Sequence, residues 1–228
     1  MKRILLAAGV ASAALVTAGL TAPAALADGQ NATCTSTLPP GTYQNVTVPA
    51  QANCTIDGSD IITGNVTVAT GATLLDSGAP IGGNLQADHA GTVDVDSSAS
   101  GAAGSIGGNL LLTATSGLNL VCAVTVGNNV IVQNSAASSD SSIGPLHGCV
   151  FTNTIKGNLT VQDNAGSVGV AFNTVAGNIS VHNNTGSGLG VFSNSAGGNC
   201  QLFNDNPPLL GSANNVPPGH QNTCNQPG

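Results

Sequence analysis

The feature that most narrows the fold of this chain is a short motif, asparagine followed by apolar, any and apolar residues, that recurs eight times. It reads Asn45-Val46-Thr47-Val48, Asn65-Val66-Thr67-Val68, Asn84-Leu85-Gln86-Ala87, Asn109-Leu110-Leu111-Leu112, Asn129-Val130-Ile131-Val132, Asn158-Leu159-Thr160-Val161, Asn178-Ile179-Ser180-Val181 and Asn199-Cys200-Gln201-Leu202. The spacings are 20, 19, 25, 20, 29, 20 and 21 residues. Apolar residues two apart share one face of an extended strand. A unit of about 20 residues with one such strand cannot bury its apolar pair alone. Stacking solves this, because equivalent strands about 4.8 Å apart merge their apolar rows into one interior. Six of these anchors follow a glycine, at Gly64, Gly83, Gly108, Gly157, Gly177 and Gly198. The Gly-Asn pair is read as a turn, since both residue types tolerate positive φ.

A second strand is legible in the later units, as Val150-Phe151, Val170-Ala171-Phe172 and Val191-Phe192. Asn153, Asn173 and Asn194 each stand five residues before an anchor, so stacked units set asparagine on asparagine. Side-chain amides in that arrangement pair along the axis, a structural role. By the same spacing Phe151, Phe172 and Phe192 are expected to form a core stack. Tryptophan is absent and tyrosine occurs once, so the core must be built from Val, Leu, Ile and Ala. The fold class expected is all-β: a single-domain parallel β-helix solenoid of about 20 residues per turn with disulfide-pinned ends.

The six cysteines test that expectation. Pairing neighbours (Cys34 with Cys54, Cys122 with Cys149, Cys200 with Cys224) gives separations of 20, 27 and 24 residues, each about one turn. Residues one turn apart in a parallel stack have Cα atoms roughly 5 Å apart, within disulfide reach. Two pairs would close the ends of the solenoid, and the third would tie down an inserted loop containing Pro145. No C-x-x-C or paired histidine spacing suggests zinc.

Lys2 and Arg3, an uncharged stretch from Ile4 to Leu20, and Ala25-Leu26-Ala27 read as a secretory signal peptide cleaved after Ala27. Cys34 lies too far beyond that point to carry a lipid. The product is therefore expected to be secreted, possessing no membrane span after cleavage, and either released or held at the cell envelope by non-covalent contacts. Cleavage leaves one basic residue, Lys156, against ten aspartates, a formal charge of −9. Such a surface cannot neutralise phosphates, which excludes nucleic acid and anionic membranes as partners. The boundaries expected are a signal peptide at 1–27, an N-terminal cap and first turn at 28–60, β-helix turns at 61–203 and a C-terminal cap at 204–228.

The G-N-(V/L/I)-x-V repeats come with a cysteine-bearing N-terminal segment (Cys34, Gly41-Thr42-Tyr43, Pro49-Ala50, Cys54) and a C-terminal segment closed by Cys200 and Cys224. In this the chain resembles a group of uncharacterised secreted proteins of actinobacteria. It is more distantly similar to right-handed parallel β-helix, pectin-lyase-like proteins. The resemblance covers nearly all of the chain beyond the leader. It implies a right-handed solenoid and supplies no active-site motif.

Lyases of that resemblance use an arginine or lysine base, whereas here no arginine follows the leader and Lys156 adjoins the Gly157-Asn158 turn. Hydrolases of that resemblance carry clustered aspartates. Asp94 and Asp96 project from one strand face about 7 Å apart, a separation that glycoside hydrolysis can use, with His89 near in sequence. The plainer reading of the pair is the solvated face of an amphipathic strand. His147, His182 and His220 have no partner at readable spacing, and Gly186-Ser187-Gly188-Leu189-Gly190 reads as a turn and not a phosphate loop. Calcium is the ion best suited to an all-aspartate surface, but no known loop motif for it is present. Thr47, Thr67, Thr160 and Ser180 face outward in a row interrupted by Gln86, Leu111 and Ile131, which spoils a flat threonine array for ice. Leu111, Ile131 and Leu209-Leu210 lie outside the inner row and could serve self-association or sit under a loop.

The function expected is a secreted or cell-envelope, non-catalytic structural or interaction protein without cofactor or metal. A polysaccharide-active enzyme built on Asp94, Asp96 and His89 is the alternative. A calcium-dependent binding module stands third.

Overall fold

The computed structural model describes residues 29–98, 104–188 and 190–225. The expected signal peptide at 1–27 and Leu189 lie outside the described residues. Val46, Val66, Leu85, Leu110, Val130, Leu159, Ile179 and Cys200 stand directly in register, each strand paired in parallel with the next. All eight are completely buried. The alternation sends their neighbours Thr47, Thr67, Thr160 and Ser180 outward.

Two further strands complete each coil. One set runs from Asn53–Asp57 through Thr73–Ser77, Thr92–Asp96, Leu118–Cys122, Asp140–Ile143, Ser167–Ala171 and Gly190–Phe192 to Gly211–Ser212, as an eight-stranded sheet. The other begins at Asp60–Ile62 and aligns Ile62, Ile81, Ile106, Val126, Ile155, Val175 and Ala196. The long strand Gly41–Val48 joins this last set to the anchors, pairing with Asp60–Ile62 at one end and Val66–Val68 at the other. The three sets form the closing, lead-in and anchor faces. Among the described residues every strand pair is parallel and there is no helix, so the chain is all-β with its strands stacked as a solenoid.

The chain turns between faces through left-handed residues. His89, Ala114, Asn134, Asp163, Asn183 and Asn204 do so after the anchor strands, with φ between 54° and 58°. Phe172, Ser193 and Ala213 do so before lead-in positions, and the asparagine after each of them points inward. Asn173 Nδ2 donates to Asn194 Oδ1 and to the Ile143 carbonyl, both at 2.9 Å, and Asn194 does the same toward Asn214 and Val170. Asn153 heads this buried ladder. These amides satisfy backbone groups that the turn leaves without strand partners.

Two expectations are corrected. Among the described glycines, positive φ occurs at Gly29, Gly71, Gly78, Gly144, Gly148, Gly190 and Gly219, none of which precedes an anchor. The anchor glycines are required by close approach instead: a Cβ at Gly108 or Gly198 would stand 2.4 Å from the Oδ1 of Asn84 or Asn178 in the preceding coil. The aromatic core stack does not form either. Phe151 and Phe172 are 52% and 50% exposed and Phe192 is half-buried. Val191 faces inward, so strand alternation sends Phe192 out, and the left-handed corner at Phe172 carries that residue out of the alternation. The aromatic that is buried is Tyr43, near the N-terminal end of the core, its hydroxyl donating to the Pro39 carbonyl.

Disulfides join Cys34 to Cys54, Cys122 to Cys149 and Cys200 to Cys224, with Cα separations of 5.4, 6.0 and 5.6 Å. The first and last hold terminal segments to the end coils. The middle one pins residues 144–152 on the outside of the closing face, where Leu120, Ala123 and Cys149 form an apolar cluster separate from the main core. Three such bonds fit an oxidising environment.

Candidate functional site

Asp94 and Asp96 alternate with the inward Val93 and Val95 and so share the outer face of their strand. Asp94 lies in register between Leu75 and Leu120. Burial there, and then the charge of Asp96, push its carboxyl above the usual carboxylate range, and its Oδ1 has no hydrogen-bond partner. Asp94 is therefore half-buried, not the freely solvated residue the plainer reading assumed. Asp96 Oδ1 accepts the N–H of Ser98 at 2.8 Å. His89 sits at the preceding corner, and its Nδ1 lies 2.8 Å from Asp88 Oδ1, with both side chains largely exposed. The ring is thus engaged by a neighbour outside the carboxylate pair.

The structure gives His147 a partner that sequence spacing hides. Its Nε2 lies 2.9 Å from Asp140 Oδ2, and the hydroxyls of Ser142 and Ser167 donate to Asp140 Oδ1 at 3.3 and 3.1 Å. Nucleophilic activation needs the order hydroxyl, imidazole, carboxylate. Here the serines bond the carboxylate from its far side, so the group acts as a clasp for the loop that Cys149 anchors. Among the described residues no three His, Cys, Asp or Glu side chains gather as a metal site.

The outer side of the anchor face carries a trough of about 440 Å³, lined by Asn129, Ile131, Asn158, Thr160, Asn178, Ser180, Asn199 and Gln201. Side-chain length creates it. Thr160 and Ser180 are short, and they lie in one column between Ile131 and Gln201. Gln162, His182 and Phe203 occupy the next outward column, where the His182 and Phe203 rings stack with centroids 4.7 Å apart.

The asparagine wall has a direction. The backbone N–H and Nδ2 of Asn158 both donate to Asn129 Oδ1, at 2.9 and 3.1 Å, and Asn178 repeats this toward Asn158 at 2.9 and 3.2 Å. A backbone N–H can only donate, so the side-chain atom facing it must be the oxygen, which fixes the amide orientation. Both lone pairs of each such oxygen are then occupied, while each Nδ2 keeps one hydrogen outside the ladder. At Asn129 and Asn158 the wall therefore presents no free acceptor, while Asn178 Oδ1 and Asn199 Oδ1 each accept one backbone N–H, from Asn199 and Gln221, and keep a lone pair beside the row of donors.

This direction could not be read from spacing alone. The repeat places Asn158 above Asn129, but only the stacked register shows which amide atom meets which backbone group.

Fold and surface together define a class: a disulfide-closed parallel β-solenoid with a polar, uncharged trough along one face. Compared with family models, curated proteins and solved structures, the chain matches none. Among the described residues no helix is long and apolar enough to cross a membrane.

Proposed function

We propose that the protein is exported by the leader at 1–27 and acts at the cell envelope or in the surroundings as a non-catalytic interaction module wound as a right-handed β-helix. The observation that carries this reading is the anchor-face trough, whose amides are oriented by one another and offer a fixed row of donors with no titrating group among them. That is the equipment of recognition, which needs fixed polar groups, and not of acid–base chemistry, which needs a positioned proton carrier. Release of new reducing ends from polysaccharides incubated with the leader-free protein is the test, and none is expected.

A second reading, glycoside hydrolysis at Asp94 and Asp96, is favoured by one observation. Burial raises the proton affinity of Asp94 beside a second carboxylate, which is how one of two acids comes to hold a proton. Turnover that disappears in Asp94→Asn at unchanged melting temperature would put this reading in place of the first.

A further inference from the structure

The trough supports a more specific assignment, which rests on the interaction role just proposed. We propose that it binds a neutral polysaccharide, an uncharged hydroxyl-rich chain lying along the solenoid axis across the coils that begin at Asn129, Asn158, Asn178 and Asn199.

Three properties select this chemistry. The Nδ2–H groups of Asn158 and Asn178 call for acceptors, and the Thr160 and Ser180 hydroxyls on the floor can donate or accept. Sugar hydroxyls meet both demands. The donors also recur at the coil spacing of about 4.8 Å, so a polymer of identical units can offer the same acceptor to successive coils. Charge decides the sign: no charged side chain lines the trough, and the chain carries a net −7. An anionic polymer would meet repulsion with no cation to offset it. Lys156 precedes Gly157 and is not among the lining residues.

A protein partner fits less well. Strand addition uses free backbone groups at a sheet edge, whereas this is the face of a sheet whose strands Val130–Gln133, Leu159–Gln162 and Ile179–His182 are paired on both sides, and the outer edge of the end strand Cys200–Phe203 is met by the segment Gln221 to Thr223. Protein hot spots also centre on buried aromatic anchors, and the trough floor is Thr160 and Ser180.

The test is affinity electrophoresis of the disulfide-bonded protein through gels containing laminarin, mannan or hydroxyethyl cellulose, with polygalacturonate as the anionic comparison. At least one neutral polymer should retard migration and polygalacturonate should not. Ser180→Trp fills the floor from an outward position and should weaken retardation at least tenfold without lowering the melting temperature. Thr67→Trp, in the same column but outside the trough, should leave it unchanged. Failure of every neutral polymer, equal retardation by polygalacturonate, or a Ser180→Trp protein that behaves as wild type would each overturn the assignment and leave an interaction role with some other partner. Accumulation of reducing ends from the retained polymer would instead overturn the non-catalytic reading alone.

Discussion

Asp76 shows at residue scale how this interior handles a charge. It faces inward between Ile56 and Val95, and its Oδ1 accepts the N–H groups of Gly78 and Ala79 at 3.0 and 2.8 Å, which closes the turn into the lead-in strand. Burial, reinforced by the charges of Asp60 and Asp94, pushes its carboxyl up from 3.8 to about 7 against the pull of those two N–H groups. Burial likewise raises Asp60, whose Oδ1 has no partner, to about 6. Both groups bind protons more tightly folded than unfolded. Their contribution to stability is thus whole below pH 3.8 and is lost as the pH rises through about 6 and 7. Melting followed by circular dichroism should give a lower melting temperature at pH 8 than at pH 4. Asp76→Asn keeps the acceptor oxygen without the charge, so it should raise the pH 8 value and flatten the dependence. An unaltered pH slope in that variant would show that the loss arises elsewhere. The anchor glycines teach a related lesson: their positions were legible in the sequence, but their reason was not, because the clash that excludes a side chain comes from a residue about 20 positions away.

At the scale of elements, the anchor strands were readable because alternation needs only two inward residues and an outward one between them. The lead-in strands were not, since Pro80–Ile81, Thr154–Ile155 and Thr174–Val175 are two residues long and too short to show a period. The phenylalanines misled because stack spacing does not say where in the coil a residue falls: Phe192 takes the outer side of its strand, Phe172 stands at the corner after its strand, and Val150-Phe151, expected as a strand, lies in the loop at 144–152. The loop at 144–152 is held by Cys122–Cys149 and by the His147–Asp140 contact, outside the main core. Replacing both cysteines by serine should therefore loosen the loop and the strand it is tied to, and nothing further. Hydrogen exchange is expected to accelerate over 144–152 and Leu118–Cys122 while the anchor columns stay protected. Exchange rising across all coils would contradict this.

On the scale of the whole molecule, each coil touches its neighbours and little else, so stability is close to a sum of coil and interface terms and the ends are the weak points. The Cys200–Cys224 bond holds the last segment over the final coil, where Cys224 and Leu209 complete the core; Leu209, expected outside the inner row, is folded in with that segment, and Leu210 beside it is exposed. Its loss should cost about 3 kcal/mol through the unfolded state. With Cys200→Ser and Cys224→Ser together, limited proteolysis should trim the chain from the C-terminal coils first and leave an N-terminal fragment still closed by Cys34–Cys54. Simultaneous loss of all coils would argue for a single cooperative unit.

The directed amide ladder bears on how such a protein can change its length. Each anchor oxygen accepts from the coil that follows, and the last, on Asn199, accepts the N–H of Gln221 at 2.9 Å. A coil copied from 158–177 and inserted before Asn178 would break one set of these bonds and make two identical sets. Growth by duplication requires no new interface, and every added coil extends the trough by one more donor.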